Sequence, residues 1–301
     1  MNKLNITYHP EYDIPVPPKH RFVGTKFSDL FSYLQSQTYF LKFQVTQPQR
    51  ASKERLLRAH SLSYVDKIYE ENLSDNDLKK INLPWSTQLR NRSFLAIEGT
   101  YQAAKLALNY GIACHVGGGT HHAHHDYGFG FCVFNDLAYT ALNLIEEDHV
   151  KSVLILDADV HQGDGTIDIC QSHPSIYTCS IHSESNFPFE KKQGWLDMSI
   201  PAGSNDDHYL TKINQILKEI DNRISPDIVL YDAGIDIFKE DGLGNLNISR
   251  KGIIKRDQII LEYFKNKRIP VTTVIGVGYS IDPYELASRH SIIFETALEM
   301  I

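Results

Sequence analysis

The sequence predicts an α/β fold, with a largely parallel central sheet and helices on both faces. Three observations carry this. Short apolar runs alternate with stretches of helical period through most of the chain beyond residue 110, the pattern of repeated βα units. The runs Val153-Leu154-Ile155-Leu156 and Ile228-Val229-Leu230-Tyr231 are apolar without alternation, as strands buried on both faces must be. Ionisable residues gather directly after those runs, at the strand ends where open α/β sheets receive their ligands. With no low-complexity linker and no repeat period, residues 1–301 are expected to form a single domain.

The elements follow in order. Leu4, Ile6 and Tyr8 alternate and predict a short strand. Tyr12 to Pro18 is proline-rich; a fixed φ and a missing N–H confine it to loop or edge. A helix is expected over 28–36, and helical spacing recurs over 52–70. A polar interval ending in Leu83-Pro84-Trp85-Ser86 precedes a long helical pattern over 93–109, closed by Gly111. Strands are then expected at 112–116, 152–156, 176–181, 228–231 and 271–275. Helices separate or follow them at 134–147, 165–171, 206–222, 249–265 (with Ser249 as cap) and 283–299.

Composition bounds the function. A chain of 301 residues with net charge -7 and 42% hydrophobic residues is an ordinary globular composition. Its mild acidity gives no support for direct nucleic-acid binding, and no apolar run approaches a membrane span. Residues 1–8 lack an apolar core followed by a cleavage site and are not expected to be a signal peptide. Cys114, Cys132, Cys170 and Cys179 show no CxxC spacing, so a reducing, cytoplasmic setting is the simplest fit.

The chemistry centres on Leu154 to Gly165. Asp157, Asp159 and His161 lie two residues apart, so an extended chain turns them to one side. Three converging ionisable groups are costly to desolvate unless a cation joins them. Asp164 by itself has a simpler explanation, as the N-cap of the following helix. After strand 112–116, Gly117-Gly118-Gly119-Thr120 delivers His121 and His122, and glycines there permit close backbone approach. His124 and His125 are read as a solvated polar loop. Ser180-Ile181-His182 is a weaker polar strand exit. Asp232-Ala233-Gly234-Ile235-Asp236 brings another carboxylate, Asp236, to the same edge, and Gly276-Val277-Gly278-Tyr279 puts a phenol on a second glycine-rich turn.

Asp159, His161 and Asp236 suffice for a catalytic metal with an open position. The hard-to-borderline donors suit Zn²⁺ without excluding Fe²⁺, Co²⁺ or Mn²⁺. The histidine pair supplies a base, Asp157 and Asp164 can each fix one histidine's tautomer, and Tyr279 can donate to an oxyanion. Together the parts describe metal-assisted hydrolysis of an amide or ester.

Gly-Gly-Thr-His-His-Ala, Gly130-Phe131-Cys132-Val133-Phe134-Asn135-Asp136, Asp157-x-Asp159-x-His161-Gln162-Gly163-Asp164-Gly165 and Gly278-Tyr279 resemble the zinc-dependent histone deacetylase family, which includes bacterial members and acetylpolyamine amidohydrolases. The likeness runs from about Tyr8 to Tyr279 and looks closest to the compact class IV-like branch. It implies the arginase/deacetylase fold, with zinc on Asp159, His161 and Asp236. It further implies His122 as general base and then acid, His121 as electrostatic partner, and Asp157 and Asp164 as their respective orienting groups. Tyr279 would polarise the scissile carbonyl. Gly130, Phe131 and, on a looser match, Phe187 would wall the acyl-lysine tunnel. A structural K⁺ would sit at Asp157 and Ser180, with carbonyls of Asp159, His161 and Ile181. Val277 stands where the family has glycine, and Ser183 to Phe189 lacks its glycine-rich loop.

The implied substrates are acylated lysine side chains of proteins or peptides, or small acylated amines such as acetylpolyamines. A ureohydrolase shares the fold class but needs a two-metal cluster; the Asp-Ala-Asp-Val-His order and Tyr279 argue against it. A non-catalytic acyl-lysine binding module would be expected to have lost a ligand, a histidine or the tyrosine, and none is lost.

Overall fold

The computed structural model describes residues 3–301, so residues 1 and 2 of the N-terminal stretch expected not to be a signal peptide lie outside it. Eight strands form one sheet: β1 (Leu4–Thr7), β2 (Phe43–Thr46), β3 (Ile112–His115), β4 (Val153–Asp157), β5 (Ile176–Ser183), β6 (Leu196–Ile200), β7 (Ile228–Asp232) and β8 (Val271–Val274). Their order is β2-β1-β3-β8-β7-β4-β5-β6, and every pairing is parallel. The helices are α1 (Lys26–Ser36), α2 (Lys53–Ala59), α3 (Leu62–Tyr69), α4 (Asp75–Ile81), α5 (Thr87–Tyr110), α6 (Asp136–Glu146), α7 (Asp164–Cys170), α8 (Asp206–Arg223), α9 (Arg250–Asn266) and α10 (Pro283–Leu298). Among the described residues no helix is long and apolar enough to cross a membrane.

The expected elements are present, with four differences. The helical stretch 52–70 is two helices, because His60 is extended (φ -126) and the Ser61 side chain caps α3 by accepting from Tyr64 N–H. The long helix α5 starts at Thr87, where Ser86 accepts from Leu89 N–H at 3.1 Å. The polar interval before it holds α4, nucleated by a Ser74/Asp77 capping box. The edge strands β2 and β6 lie outside the sequence expectation: edge strands need only one apolar face, and both are half-buried.

The topology fixes where the site falls. From β4 the chain passes through α7 to β5 on one side, whereas from β7 it passes through α9 to β8 on the other. Right-handed crossovers therefore set α7 and α9 on opposite faces and open a crevice between the carboxyl ends of β4 and β7. Asp157 and Asp232 are register partners there. The fully buried Arg256 of α9 braces that crevice from below, donating to the carbonyls of Gly234 (2.6 Å), Ala233 (3.1 Å) and Ala158 (3.3 Å).

Candidate active site

Past the end of β4, the chain turns on its own side chains. Asp159 N–H donates to Asp157 Oδ1 at 3.1 Å, His161 N–H to Asp159 Oδ1 at 2.9 Å, and Val160 N–H to Asp236 Oδ1 at 2.9 Å. One donor atom each from Asp159, His161 and Asp236 lies within 4.8 Å of the other two, and all three residues are buried. His161 Nδ1 is 3.0 Å from Asp159 Oδ1 and 2.9 Å from Asp236 Oδ2, yet Asp236 Oδ2 has no aligned hydrogen-bond partner. Burial pushes the Asp159 carboxyl up, but His121 and His161 outweigh it and hold the group well below the usual range. Burial and the nearby Asp159 push Asp236 well up, while burial lowers His161 less than the two carboxylates raise it, to about 10. An orphaned buried carboxylate oxygen and a convergent Asp/His/Asp donor set fit a divalent cation.

The Gly117–Gly119 turn after β3 places the histidine pair beside that cluster. His121 Nδ1 is 2.8 Å from Asp157 Oδ2, His122 Nδ1 is 2.6 Å from Asp164 Oδ1, and the two Nε2 atoms are 3.1 Å apart. Carboxylates only accept, so each Nδ1 carries a proton, and the short Nε2–Nε2 approach needs one proton between the rings. Burial opposes charge on both. In His121, Asp157, Asp159 and Asp232 override it and hold the ring well above its ordinary value. In His122, burial and then the His121 charge bring the ring down to about 4. His121 is thus the donor of the pair, and His122 is neutral with an Nε2 lone pair. Beneath them the fully buried Asp232 has no hydrogen-bond partner on either oxygen. Burial and the adjacent Asp157 raise its carboxyl far above the ordinary range.

Tyr279 leaves β8 on the second glycine turn and is nearly buried. Its N–H donates to Asp241 Oδ2 at 2.7 Å and its carbonyl accepts from Arg289 Nη2 at 3.0 Å. Burial, Asp236 and Asp159 push its hydroxyl well above the ordinary value, so it remains a donor.

Gly130 and Phe131 form the tip of a two-residue hairpin in which Phe129 and Cys132 exchange both backbone bonds at 2.9 Å. Both tip residues have positive φ (54° and 69°), as a type I′ turn requires, and an aromatic residue there is strained. A Cβ at position 130 would stand 2.8 Å from His122 Cδ2, so the turn lies on the ring of His122 itself. The carbonyls of Lys80 and Ile81, at the end of α4, accept from Gly130 N–H (3.2 Å) and Phe131 N–H (2.8 Å) and hold the turn. Phe131 stands 6.5 Å from the Tyr279 ring; Phe187 lies 4.9 Å from His122 and 5.1 Å from Phe129. Phe129, which sequence reasoning did not single out, is therefore part of the same aromatic wall. The support from α4 and from Arg256 was not singled out either: carbonyls at the end of a short helix, and an arginine inside an amphipathic helix, carry no signal that points to a site.

Across β4 and β5, Asp157 is the register partner of Ser180, so the residues implied for K⁺ adjoin one another. One expectation is corrected. His124 is not in a solvated loop: it is buried, with Nδ1 2.9 Å from Asp168 Oδ2 and Nε2 3.3 Å from Asp164 Oδ2. The two acids lie four residues apart on α7 and draw the ring in. His125 is exposed, its Nδ1 2.9 Å from the Ala59 carbonyl.

The Histone deacetylase domain family matches residues 20–293. The chain belongs to the histone deacetylase family. It is 38% identical over 295 residues to an uncharacterized protein of Picosynechococcus sp., covering 98% of each chain. It is 28% identical to Histone deacetylase 2 of Arabidopsis thaliana over 93% of this chain and 75% of that one. The crystal structure of a histone deacetylase homologue from Aquifex aeolicus superposes with a TM-score of 0.81 at 24% identity, covering 98% and 84% of the two chains, and shows the arginase/deacetylase fold. As a histone deacetylase family member the protein is a hydrolase, and its Asp159/His161/Asp236 cluster has the make-up of a metal site.

Proposed function

We propose that residues 1–301 form one catalytic domain that hydrolyses the amide bond of Nε-acyl-lysine, with Asp159, His161 and Asp236 holding Zn²⁺. Fe²⁺ and Co²⁺ suit the same donors. The observation that carries this reading is the histidine pair, each ring held at Nδ1 by its own carboxylate and the two Nε2 atoms 3.1 Å apart, beside the Asp/His/Asp cluster. When bound, the ion supplies Lewis acidity toward water and the acyl carbonyl.

The chain's own residues do the rest. Phe131, Phe129 and Phe187, with the backbone of Gly130, enclose the unbranched stem and exclude water. His122 Nε2 takes a proton from the attacking water as its oxygen bonds to the carbonyl carbon, and Asp164 steadies the imidazolium so formed. As the carbon becomes tetrahedral, Tyr279 donates to the oxygen that gains charge. His122 then returns the proton to the departing Nε as the C–N bond breaks, leaving a free lysine amine and a carboxylic acid. His121, oriented by Asp157, provides a fixed positive charge that keeps His122 neutral until the water is deprotonated. K⁺ held by Asp157, Ser180 and the carbonyls of Asp159, His161 and Ile181 would brace the β4 and β5 ends. The four buried thiols, none paired, support a reducing, cytoplasmic setting.

Small acylated amines, acetylpolyamines among them, present the same unbranched stem. A panel of acetyl-, decanoyl- and myristoyl-lysine peptides and acetylpolyamines, each assayed before and after chelation, tests the proposal. Hydrolysis of acyl-lysine peptides with higher kcat/KM than the acetylpolyamines is expected. The reverse order would replace acyl-lysine by small amines, and no hydrolysis of any member by metal-loaded protein would end the reading.

A further inference from the structure

The hydrogen-bond chain from His122 does not stop at Asp164. Asp164 Oδ1 accepts from His122 Nδ1–H at 2.6 Å, and its Oδ2 faces His124 Nε2 at 3.3 Å. His124 Nδ1 continues to Asp168 Oδ2 at 2.9 Å, and Asp168 Oδ1 accepts from Lys192 Nζ at 2.6 Å. Asp164 and Asp168 stand four apart on one face of α7, and the His124 ring spans them. Neither carboxylate can donate, so the ring satisfies both only with a proton on each nitrogen, as imidazolium. The other groups against it are consistent with a cation. Tyr127 stacks on the ring at 4.4 Å, Phe129 lies at 6.1 Å, and Lys80 Nζ stands 4.1 Å from the centre of the Tyr127 ring. The backbone is pinned as well: His124 N–H donates to Tyr127 O at 2.9 Å, and His60 Nδ1 donates to His124 O at 2.9 Å.

We infer that His124 is a positioning residue for His122: a charged ring strapped across α7 that fixes the Asp164 carboxylate and draws off part of its negative charge. The inference rests on the proposed role of His122 as base. A lone carboxylate on His122 Nδ1 raises that ring's proton affinity; a carboxylate shared with a second cation raises it less. His124 therefore acts together with His121, whose Nε2 is 3.1 Å from that of His122, to keep the base unprotonated. Removing the charge leaves Asp164 wholly to His122, so the base becomes more easily protonated and the acid limb of activity moves to higher pH. Burial opposes charge on His124, but Asp164 and Asp168 outweigh it and raise the ring above its ordinary value, in agreement with the geometry.

The test compares wild type, His124→Gln, His124→Arg and Asp168→Asn, all loaded with Zn²⁺. The His122 titration is followed by ring-nitrogen NMR, and kcat/KM against pH is measured on an acetyl-lysine peptide. In His124→Gln the His122 titration and the acid limb should both move up by roughly one pH unit, the low end of the shifts that nearby charges produce. His124→Arg, which keeps the charge, should move both less than half as far. Asp168→Asn alters a partly exposed residue and still offers His124 Nδ1–H an oxygen, so the ring keeps its charge and both quantities should move less than half as far as in His124→Gln. An unshifted His122 titration in His124→Gln, or equal shifts in His124→Gln and His124→Arg, would overturn the inference. If wild type hydrolyses nothing, the functional reading fails, while the NMR comparison still decides the role of His124.

Discussion

Replacing Tyr279 by phenylalanine removes one hydroxyl and little else. The ring keeps its place beside Phe131, 6.5 Å away, and the backbone keeps its anchors at Asp241 and Arg289. Stability should therefore change by no more than about 0.5 kcal/mol. The hydroxyl is buried and remains protonated across the working range, so the wild-type group is always available as a donor. Its hydrogen bond strengthens as charge develops on the acyl oxygen, so its loss falls on the transition state rather than on substrate binding. One oxyanion donor is worth about 2.7–4 kcal/mol, or roughly 10²–10³ in kcat. The assay is kcat and KM on an acetyl-lysine peptide, with peptide binding measured separately by calorimetry. A variant that binds the peptide as before and turns over within about threefold of wild type would refute the reasoning, being far short of that penalty.

Further outcomes are expected elsewhere in the molecule. His122→Ala should lower kcat by about 10²–10⁴ with a smaller change in KM; a larger loss in His121→Ala, with metal retained, would exchange the two roles. His60 is buried and neutral, its Nε2 accepting from Asn135 N–H at 3.0 Å, and burial brings its ring down to about 3. Below about pH 6.5 the unfolded chain takes up a proton that the folded one refuses, so this ring's contribution is lost as pH falls. The stability gap between wild type and His60→Gln should therefore shrink by about 2 kcal/mol from pH 7 to pH 5 in urea titrations; a constant gap would contradict this. Arg256→Met breaks a buried pair with Asp257 and frees three carbonyls under the crevice. It should cost about 3–5 kcal/mol in urea unfolding, and a cost under about 1 kcal/mol would show that Arg256 does not brace the site.

The central strands were legible because a strand buried on both faces has no choice of residue, and the reactive groups because they follow such strands at a spacing of two. β4 and its Asp157-x-Asp159-x-His161 tip show both rules at once. The edge strand β6 was passed over although Leu196-Asp197-Met198-Ser199-Ile200 alternates with period two, the signal that predicts β1; at five residues beside a polar loop the run is short. α4 is only seven residues long, and its signature, the capping box at Ser74 and Asp77, sits in a run of polar residues. His124 was misread because its partners are tertiary. Nothing local predicts that Asp164 and Asp168, some forty residues on, will close over it. Phe131 was expected in the tunnel wall from the family resemblance, but its place in a type I′ turn runs against residue preference, so its strain shows only in the backbone angles.

If Asp159, His161 and Asp236 hold the ion on which hydrolysis depends, metal and hydrolysis must be lost together. Metal content and peptide hydrolysis measured on the same samples of wild type and Asp236→Ala test it most directly. Wild type should carry one divalent ion per chain, lose hydrolysis on chelation and regain it with Zn²⁺. Asp236→Ala, left with two ligands, should carry little metal and hydrolyse nothing. Full hydrolysis by a sample verified to be free of metal would contradict the account.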